Sequence, residues 1–487
     1  MAVSTFTPIF HITPSCESNS LVFSSKFKLP TTKIKPNFTK AKVFATLSDP
    51  FVLQIAETLE DSHSSSPPHL QKLRDFSSES LLSTHWPSRK DEPFRFTDTS
   101  FIKKSQIIPI STPPLAPSLN LFDDSEETQF PNLVIVDGYI VDSVSNVSGL
   151  PDGVFVGSLS NLDSEVIKKR VLDFVSSNDG DLFWSLNGVG APDLVVVYVP
   201  EGCVVEIPLH LRYFSDKGED KESNKLPVSN PRLLVLVEKG GEIGIIEEYV
   251  GGEGEKCYWT NSVMEVVVGD GAKLTHSYIQ NQSLQAAHIK WTSVRQESTS
   301  TYKLIEVSTG GKLSRHNFHM QQVGPDTLTE LSTFHLSITD QTQDLHSKLI
   351  LDHPRGITRQ LHKCIIAHSL GQAVFDGNVQ VNREAQQTDA GQLTRTLLLE
   401  PRATVNLKPN LQIIADDVKC SHGAAICDLE EDQLFYFQAR GVDLQTARKA
   451  LIFSFGAEVL DHFPNKSIQK KVEGHVKRLL VPSLSLQ

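Results

Sequence analysis

Six cysteines are scattered through the 487 residues without a single Cys-x-x-Cys pair. A self-contained zinc or iron–sulfur motif, which needs clustered thiolates, is thereby excluded. Five of the six (Cys203, Cys257, Cys364, Cys420 and Cys427) lie beyond residue 48. An odd, widely spaced set suits a reducing compartment better than a disulfide framework. No uninterrupted apolar run approaches the length that spans a bilayer, so the sequence predicts a soluble chain with no membrane partner. Positive charge is scarce too: the net charge is −12, which argues against nucleic acid as a partner. Nucleotide motifs are missing. Thr309-Gly-Gly-Lys312 has the end of a phosphate loop, but Glu306 stands where the first glycine is required. Neither a Gly-x-Gly-x-x-Gly turn opening a helix nor a Gly-x-Ser-x-Gly elbow occurs, and no spacing pairs carboxylates for acid–base work. The sequence therefore predicts a chain that binds no nucleotide and is not an enzyme.

The first 48 residues lack arginine and hold one acid, Glu17, beside six lysines and many Ser and Thr. That composition, without a compact apolar segment, is the signature of a plastid transit peptide cut near Val43-Phe44-Ala45. It carries a net +5, so the remainder bears −17 against −12 for the whole. The length suggests two to four domains. After the leader (1–48) come an N-terminal helix-rich region with a linker (49–190), a β core (191–427) and a helical C-terminal domain (428–487). Phe51, Val52, Ile55, Ala56 and Leu59 recur at helical spacing, and Leu70, Leu73 and Phe76 resume it. Prolines between Ile108 and Pro117 predict an extended connector, and Glu165–Phe174 predicts a short helix.

From about Asp193 the texture changes. Val199-Pro-Glu-Gly202, Val237-Glu-Lys-Gly240, Val268-Gly-Asp-Gly271 and Val307-Ser-Thr-Gly310 share a Val-x-x-Gly pattern, with glycines 38, 31 and 39 residues apart. Strand, glycine turn, strand at similar intervals predicts a stacked parallel β-helix. The same glycines would also serve the hairpins of an antiparallel sandwich. Nine of the seventeen histidines fall between His276 and His368. His316 and His319 are three apart, which on a strand puts them on opposite faces, so the crowd reads as polar ladders before metal sites. Asp389-Ala-Gly-Gln-Leu reads likewise as ladder or turn.

The densest stretch is Asp416 to Arg440. Residues two apart on a strand share a face, so Cys420 and His422 project together, roughly 7 Å apart. Gly423 is expected to turn the chain, and Asp428 with Glu431 has the spacing of a capping box opening a helix with Leu434, Phe435 and Phe437. Asp443 is placed to cap the next helix, with Ala447, Ala450, Leu451 and Phe455 on its packed face. Ser467 is placed to cap a third, lined by Val472, Val476 and Leu479.

With these residues assembled, the chain resembles the SufB/SufD family of iron–sulfur cluster assembly proteins, and SufD above SufB. The resemblance rests on Phe375-Asp-Gly-Asn-Val379, Ala385-Gln-Gln-Thr-Asp-Ala390, Pro409-Asn-Leu-Gln-Ile413 and Asp416-Asp-Val-Lys-Cys-Ser-His-Gly423, continued in Gln433-Leu-Phe-Tyr436 and Ala439-Arg-Gly441. Arg89-Lys-Asp-Glu92 with Phe94-Arg-Phe-Thr97 is similar to the family's N-terminal element, with Phe94 where a Trp is usual. The resemblance implies a right-handed parallel β-helix core flanked by N-terminal and C-terminal helical domains. It implies a complex of one SufB-like subunit, one SufD and two copies of a SufC-like ATPase. SufB and SufD pair through their β-helices, and SufC docks on the C-terminal helices. The cysteine-rich motif of SufB chains is missing here, which favours SufD.

The expected role is a non-catalytic scaffold in the plastid stroma, handling an iron–sulfur cluster transiently and jointly with its partner. His422 is the expected metal ligand, with Cys420 secondary; Cys427 is expected in the core. Leu434, Phe435, Phe437, Leu451 and Phe455 are expected to dock the ATPase. Deleting residues 430–487 is expected to remove that docking and leave the β-helix folded. The rival readings are a β-helix enzyme such as a polysaccharide lyase, and a metal-free β-helix adaptor.

Overall fold

Val263 lies between Arg232 on one neighbouring strand and Trp291 on the other, all three strands parallel, and this arrangement repeats along the chain. The computed structural model describes residues 48–62, 70–113, 130–175, 180–251 and 254–484. The predicted leader lies outside them except for Ser48, as does the connector beyond Pro113.

Two sheets face each other and the chain alternates between them. The first holds Arg232–Val237, Trp259–Val268, Ala287–Gln296, Leu313–Gln322, Thr342–Leu351, Gln372–Val381 and Thr404–Ile413. The second holds Glu242–Gly251, Lys273–Asn281, Thr301–Ser308, Leu328–Ser337, Ile357–Ile366, Asp389–Leu398 and Lys419–Cys427. One strand of each makes a coil, and each coil pairs with the next in parallel register, as Thr342 with Gln372 and Gln372 with Thr404. This is a parallel β-solenoid and not an antiparallel sandwich; the antiparallel pairs among the described residues are short. Asn132–Val136 and Phe155–Ser158 already join the two sheets, so the N-terminal region helps build the first coil.

The glycine windows mark two corners rather than one repeat. Gly202, Gly240 and Gly271 follow first-sheet strands with φ of 68°, 65° and 67°, a left-handed conformation that favours glycine. They stack: each N–H donates to a carbonyl of the next coil, at Lys239, Asp270 and Ser298 respectively. Val307-Ser-Thr-Gly310 instead ends a second-sheet strand and belongs to the opposite corner.

Alternate residues fill the space between the sheets. Val235, Met264, Val266, Tyr278, Leu304, Phe318 and Leu349 are among its buried apolar members. The histidine ladder runs through the same lumen: Glu306 accepts from His316 and His335, both at 2.8 Å. His319 points the other way, edge-on to Trp291 at 4.6 Å between ring centres.

Helices cover both outer faces. On the first sheet lie α1 (Pro50–Ser62), α2 (Gln71–Leu81), α3 (Ser100–Lys104), α4 (Glu165–Val175) and α5 (Leu182–Gly190). Val52, Leu59, Trp86 and Phe183 pack there against Trp259 and Trp291. Leu70 and Leu73 are buried as expected, but Phe76 is 46% exposed, on the far side of α2. The sequence reading passed over α5, in which every residue is buried. A helix apolar on all sides shows no period to find; its signal is Asp181, whose carboxylate accepts from the Phe183 and Trp184 N–H groups.

At the C-terminus, α6 (Glu431–Gln438), α7 (Leu444–Leu460) and α8 (Lys466–Leu484) follow. Ile452, Val459, Leu460, Val472 and Val476 pack on Ile305, Phe334, Ile365 and Leu397 of the second sheet. The buried face of α7 is thus carried by Ala447, Ile452 and Val459, while Ala450 is exposed and Leu451 and Phe455 are half-buried. Asp443 caps α7 through the Thr446 N–H at 3.0 Å. Asn465, not Ser467, caps α8, accepting from the Ser467 and Ile468 N–H groups.

Candidate functional site

The solenoid ends bare. Thr404–Ile413 and Lys419–Cys427 each pair on one side only, and no described residue continues either sheet. Most of Lys419–Cys427 is exposed, with Ile426 53% accessible. An edge this long is a template for pairing with another chain. Pro409 sits in the first-sheet edge strand and has no N–H to offer. The second-sheet edge carries no proline, so its whole free side is competent to pair.

On that edge Cys420 is in register with Ala390 and His422 with Gln392. Both belong to the alternate set that faces the lumen. Cys420 is half-buried against the lumen's apolar residues and His422 is exposed at the mouth. Cys420 and His422 thus lie two apart on one face of one strand. Burial pushes the Cys420 thiol up, the Ala390 backbone opposing it by a hydrogen bond. Two side chains are at most half of a cluster iron's ligand set. Among the described residues no three His, Cys, Asp or Glu side chains gather where they would hold a metal ion.

Three expectations for this stretch fail. Gly423 does not turn the chain: the strand runs on to Cys427, with Gly423 beside Leu393 of the neighbouring strand, whose Cδ1 a Cβ would approach to 3.1 Å. Cys427 is exposed rather than in the core, since the edge strand's outer face has no cover. No capping box forms, because α6 starts at Glu431 with Glu430 at its N-cap and no side-chain cap. Asp428 instead accepts from the Leu429 N–H at 2.7 Å.

Behind the mouth the lumen is polar and charged. Lys290 and His276 both reach Glu247, the latter at 2.9 Å. Burial alone would raise the Glu247 carboxyl; the Lys290 ammonium and the His276 hydrogen bond overcome it and hold the group well below the usual carboxylate range. Glu306 is held low in the same way by His316 and His335. Nearer the mouth, His362 stacks on Phe375 at 4.8 Å, and Gln392 bonds to Gln360. These two glutamines were missed as a unit; the signal was that Gln392 shares its strand face with Ala390, two positions earlier.

The second exposed feature is α6. Phe435 is 70% and Tyr436 55% exposed, with the Arg440 guanidinium 3.5 Å above the Tyr436 ring. Leu434 and Phe437 are half-buried. Phe455 is engaged by the solenoid: Lys363 lies over its ring at 4.5 Å and donates to its carbonyl at 2.9 Å. Between α7 and the second sheet a groove of about 770 Å³ runs to the terminal strand. Its charges are matched, Lys303 to Glu330 at 2.6 Å and Arg359 to Asp389 at 2.7 Å, so it carries little net field.

Comparison with known proteins agrees with this architecture. Residues 219–455 match the SufBD core domain of the SUF system for FeS cluster assembly, and residues 51–211 match the SufBD protein N-terminal region. The chain is 64% identical over 462 residues to Protein ABCI7, chloroplastic, of Arabidopsis thaliana, covering 94% of this chain and 97% of that protein. It is 36% identical over 404 residues to the iron–sulfur cluster assembly SufBD family protein slr0076 of Synechocystis, covering 80% and 87%. With the iron–sulfur cluster assembly protein SufD of Escherichia coli it shares 26% identity over 405 residues, covering 82% and 90%. The plastid location expected from the leader agrees with the chloroplastic relative. No helix among the described residues is long and apolar enough to cross a membrane.

Proposed function

Since the chain belongs to the SufB/SufD family of iron–sulfur cluster assembly proteins, we propose that it is the SufD-type scaffold of a chloroplast SUF complex, without catalysis of its own. A SufB-like subunit pairs with the bare end of the solenoid, and a SufC-like ATPase docks on α6. The nucleotide is the ATPase's to bind. The cluster is cargo: His422 supplies one ligand at the shared boundary, Cys420 is secondary, and the partner completes the set.

The observation that supports this reading most is the terminal edge strand. It exposes unpaired backbone and carries an imidazole and a thiol on its lumen face, so one partner strand would satisfy the edge and bring further ligands to the same place. The solenoid behind it is paired coil on coil in continuous parallel register, which suits a scaffold.

The test is reconstitution of the three-subunit complex with His422→Ala. Subunit ratio is expected to hold, since an exposed edge residue contributes little packing, while bound iron and sulfide fall several-fold. Cys420→Ser is expected to do less. Normal iron with His422→Ala overturns the ligand role; failure to assemble makes the histidine structural.

A further inference from the structure

We propose that Gln392 is a positioning residue for His422: its side-chain amide, anchored by Gln360, offers a carbonyl oxygen that accepts the imidazole N–H once a partner covers the terminal coil. The inference rests on the reading of His422 as a ligand.

The anchoring is visible. The Gln360 amide donates to Ser347 Oγ at 2.8 Å, and the Gln392 amide donates to Gln360 Oε1 at 2.9 Å. The ladder thus has a direction, its N–H groups pointing back into the solenoid and its oxygens toward the mouth. Inside, each oxygen meets the next donor. At the last step the run stops: Gln392 Oε1 is buried and has no hydrogen-bond partner. A buried acceptor left without a donor is a cost that a native structure tends to remove. The next residue in the row is His422, in direct register with Gln392 one strand spacing away.

The opposite wall is cut to fit the same amide. Gly377 lies across the lumen, and a Cβ there would come within 2.4 Å of Gln392 Nε2 and 2.5 Å of the Phe375 ring. Phe375 cannot yield, being stacked on His362 and fully buried. The site therefore reserves volume for a glutamine amide held in one place. A metal-ligating histidine commonly donates its second ring N–H to a fixed acceptor, which sets the tautomer and aims the other nitrogen. In the free chain His422 is exposed and the bond is not made; burying the mouth under a partner strand brings donor and acceptor together.

The experiment titrates cobalt(II) alone into the reconstituted complex carrying Gln392→Met, Gln392→Glu or His422→Ala, with subunit ratio and melting curve recorded for each. Methionine keeps length and volume but offers only a weak thioether acceptor in place of the carbonyl. Glutamate keeps an acceptor toward His422, and a flip of Gln360 lets its amide donate to the other oxygen while the Ser347 hydroxyl donates to Gln360 Oε1. Cobalt affinity is expected to fall about 10- to 100-fold with methionine, the usual loss when the partner of a ligating histidine is removed, and to fall by less than that range with glutamate. Unchanged affinity with methionine, while His422→Ala abolishes binding, overturns the positioning role and leaves the ligand role standing. Equal loss in both Gln392 variants also overturns it, since the side chain would then be packing rather than accepting. Unchanged binding with His422→Ala removes the ligand reading and this inference with it.

Discussion

At the scale of single residues, the lumen histidines set the protein's response to acid. His288 is fully buried with its Nε2 2.7 Å from the Tyr278 hydroxyl, and burial together with the Lys290 ammonium pushes its pKa down to about 3. An unfolded histidine titrates near 6.5. Between those values the unfolded chain binds a proton that the folded one refuses, so stability rises with pH there and is lost as pH falls from about 6.5 toward 3. The slope is about 1.4 kcal/mol per pH unit once the unfolded histidine is mostly protonated. Urea midpoints compared at pH 7 and pH 5 should therefore fall, and His288→Gln should lessen that fall. An unchanged pH dependence in the variant would mean that other groups carry the response. Lowered carboxyls such as Glu306 act further down the scale: their contribution is present above the ordinary glutamate range and is lost only as pH falls through their depressed values.

At the scale of elements, the C-terminal helices divide into one that is free and two that are committed. Phe435→Asp on α6 is expected to leave stability within about 0.5 kcal/mol, as for other surface changes, and to abolish co-purification of the ATPase. Phe334→Ala, under α7, should cost about 3–5 kcal/mol and leave docking intact in whatever fraction stays folded. Thermal melts beside pull-downs separate the two, and retained ATPase binding by Phe435→Asp would move the docking site elsewhere. The sequence distinguished these helices only partly. Leu434, Phe435 and Phe437 announced an apolar surplus, but of the face that periodicity gave α7 (Ala447, Ala450, Leu451 and Phe455) only Ala447 is fully buried, and Ile452 and Val459 carry the rest. Which of several apolar residues faces inward is decided by the sheet beneath, here by Phe334 and Ile365, which lie more than eighty positions before Ile452 in the chain.

For the molecule as a whole, three of the four Val-x-x-Gly windows mark one left-handed corner repeated from coil to coil and the fourth lies at the opposite corner, so the pattern pointed to stacked strands without excluding an antiparallel sandwich. The bare end was legible only as a Cys/His pair of ligand type, since whether a strand has a neighbour on both sides is a property of the stack and not of its own residues. Amides of Lys419–Cys427 should exchange hydrogen faster than those of Leu328–Ser337, which pairs on both sides, and should become protected when the SufB-like subunit binds. Fast exchange persisting in the complex would place the interface elsewhere. The expectation that residues 430–487 can be deleted without harm is revised. Removing α7 and α8 uncovers Ile305, Phe334, Ile365 and Leu397 together, so the truncated chain should aggregate, and light scattering during expression tests would register it.

The closure of α8 has a consequence for how the chain comes into being. Coils leave the ribosome in the order in which they stack, so each new strand finds its template already laid down. The last helix breaks that order: Lys471 reaches Glu248, 223 residues earlier, and His475 reaches Thr309, 166 residues earlier. Import into a plastid, N-terminus first, delivers the segments in the same sequence. For the whole interval between the emergence of Phe334 and that of Val476, an apolar wall stands open to solvent. A chain whose faces close coil by coil has no such interval, so here the late arrival of α7 and α8 sets how long the wall of the second sheet stays uncovered.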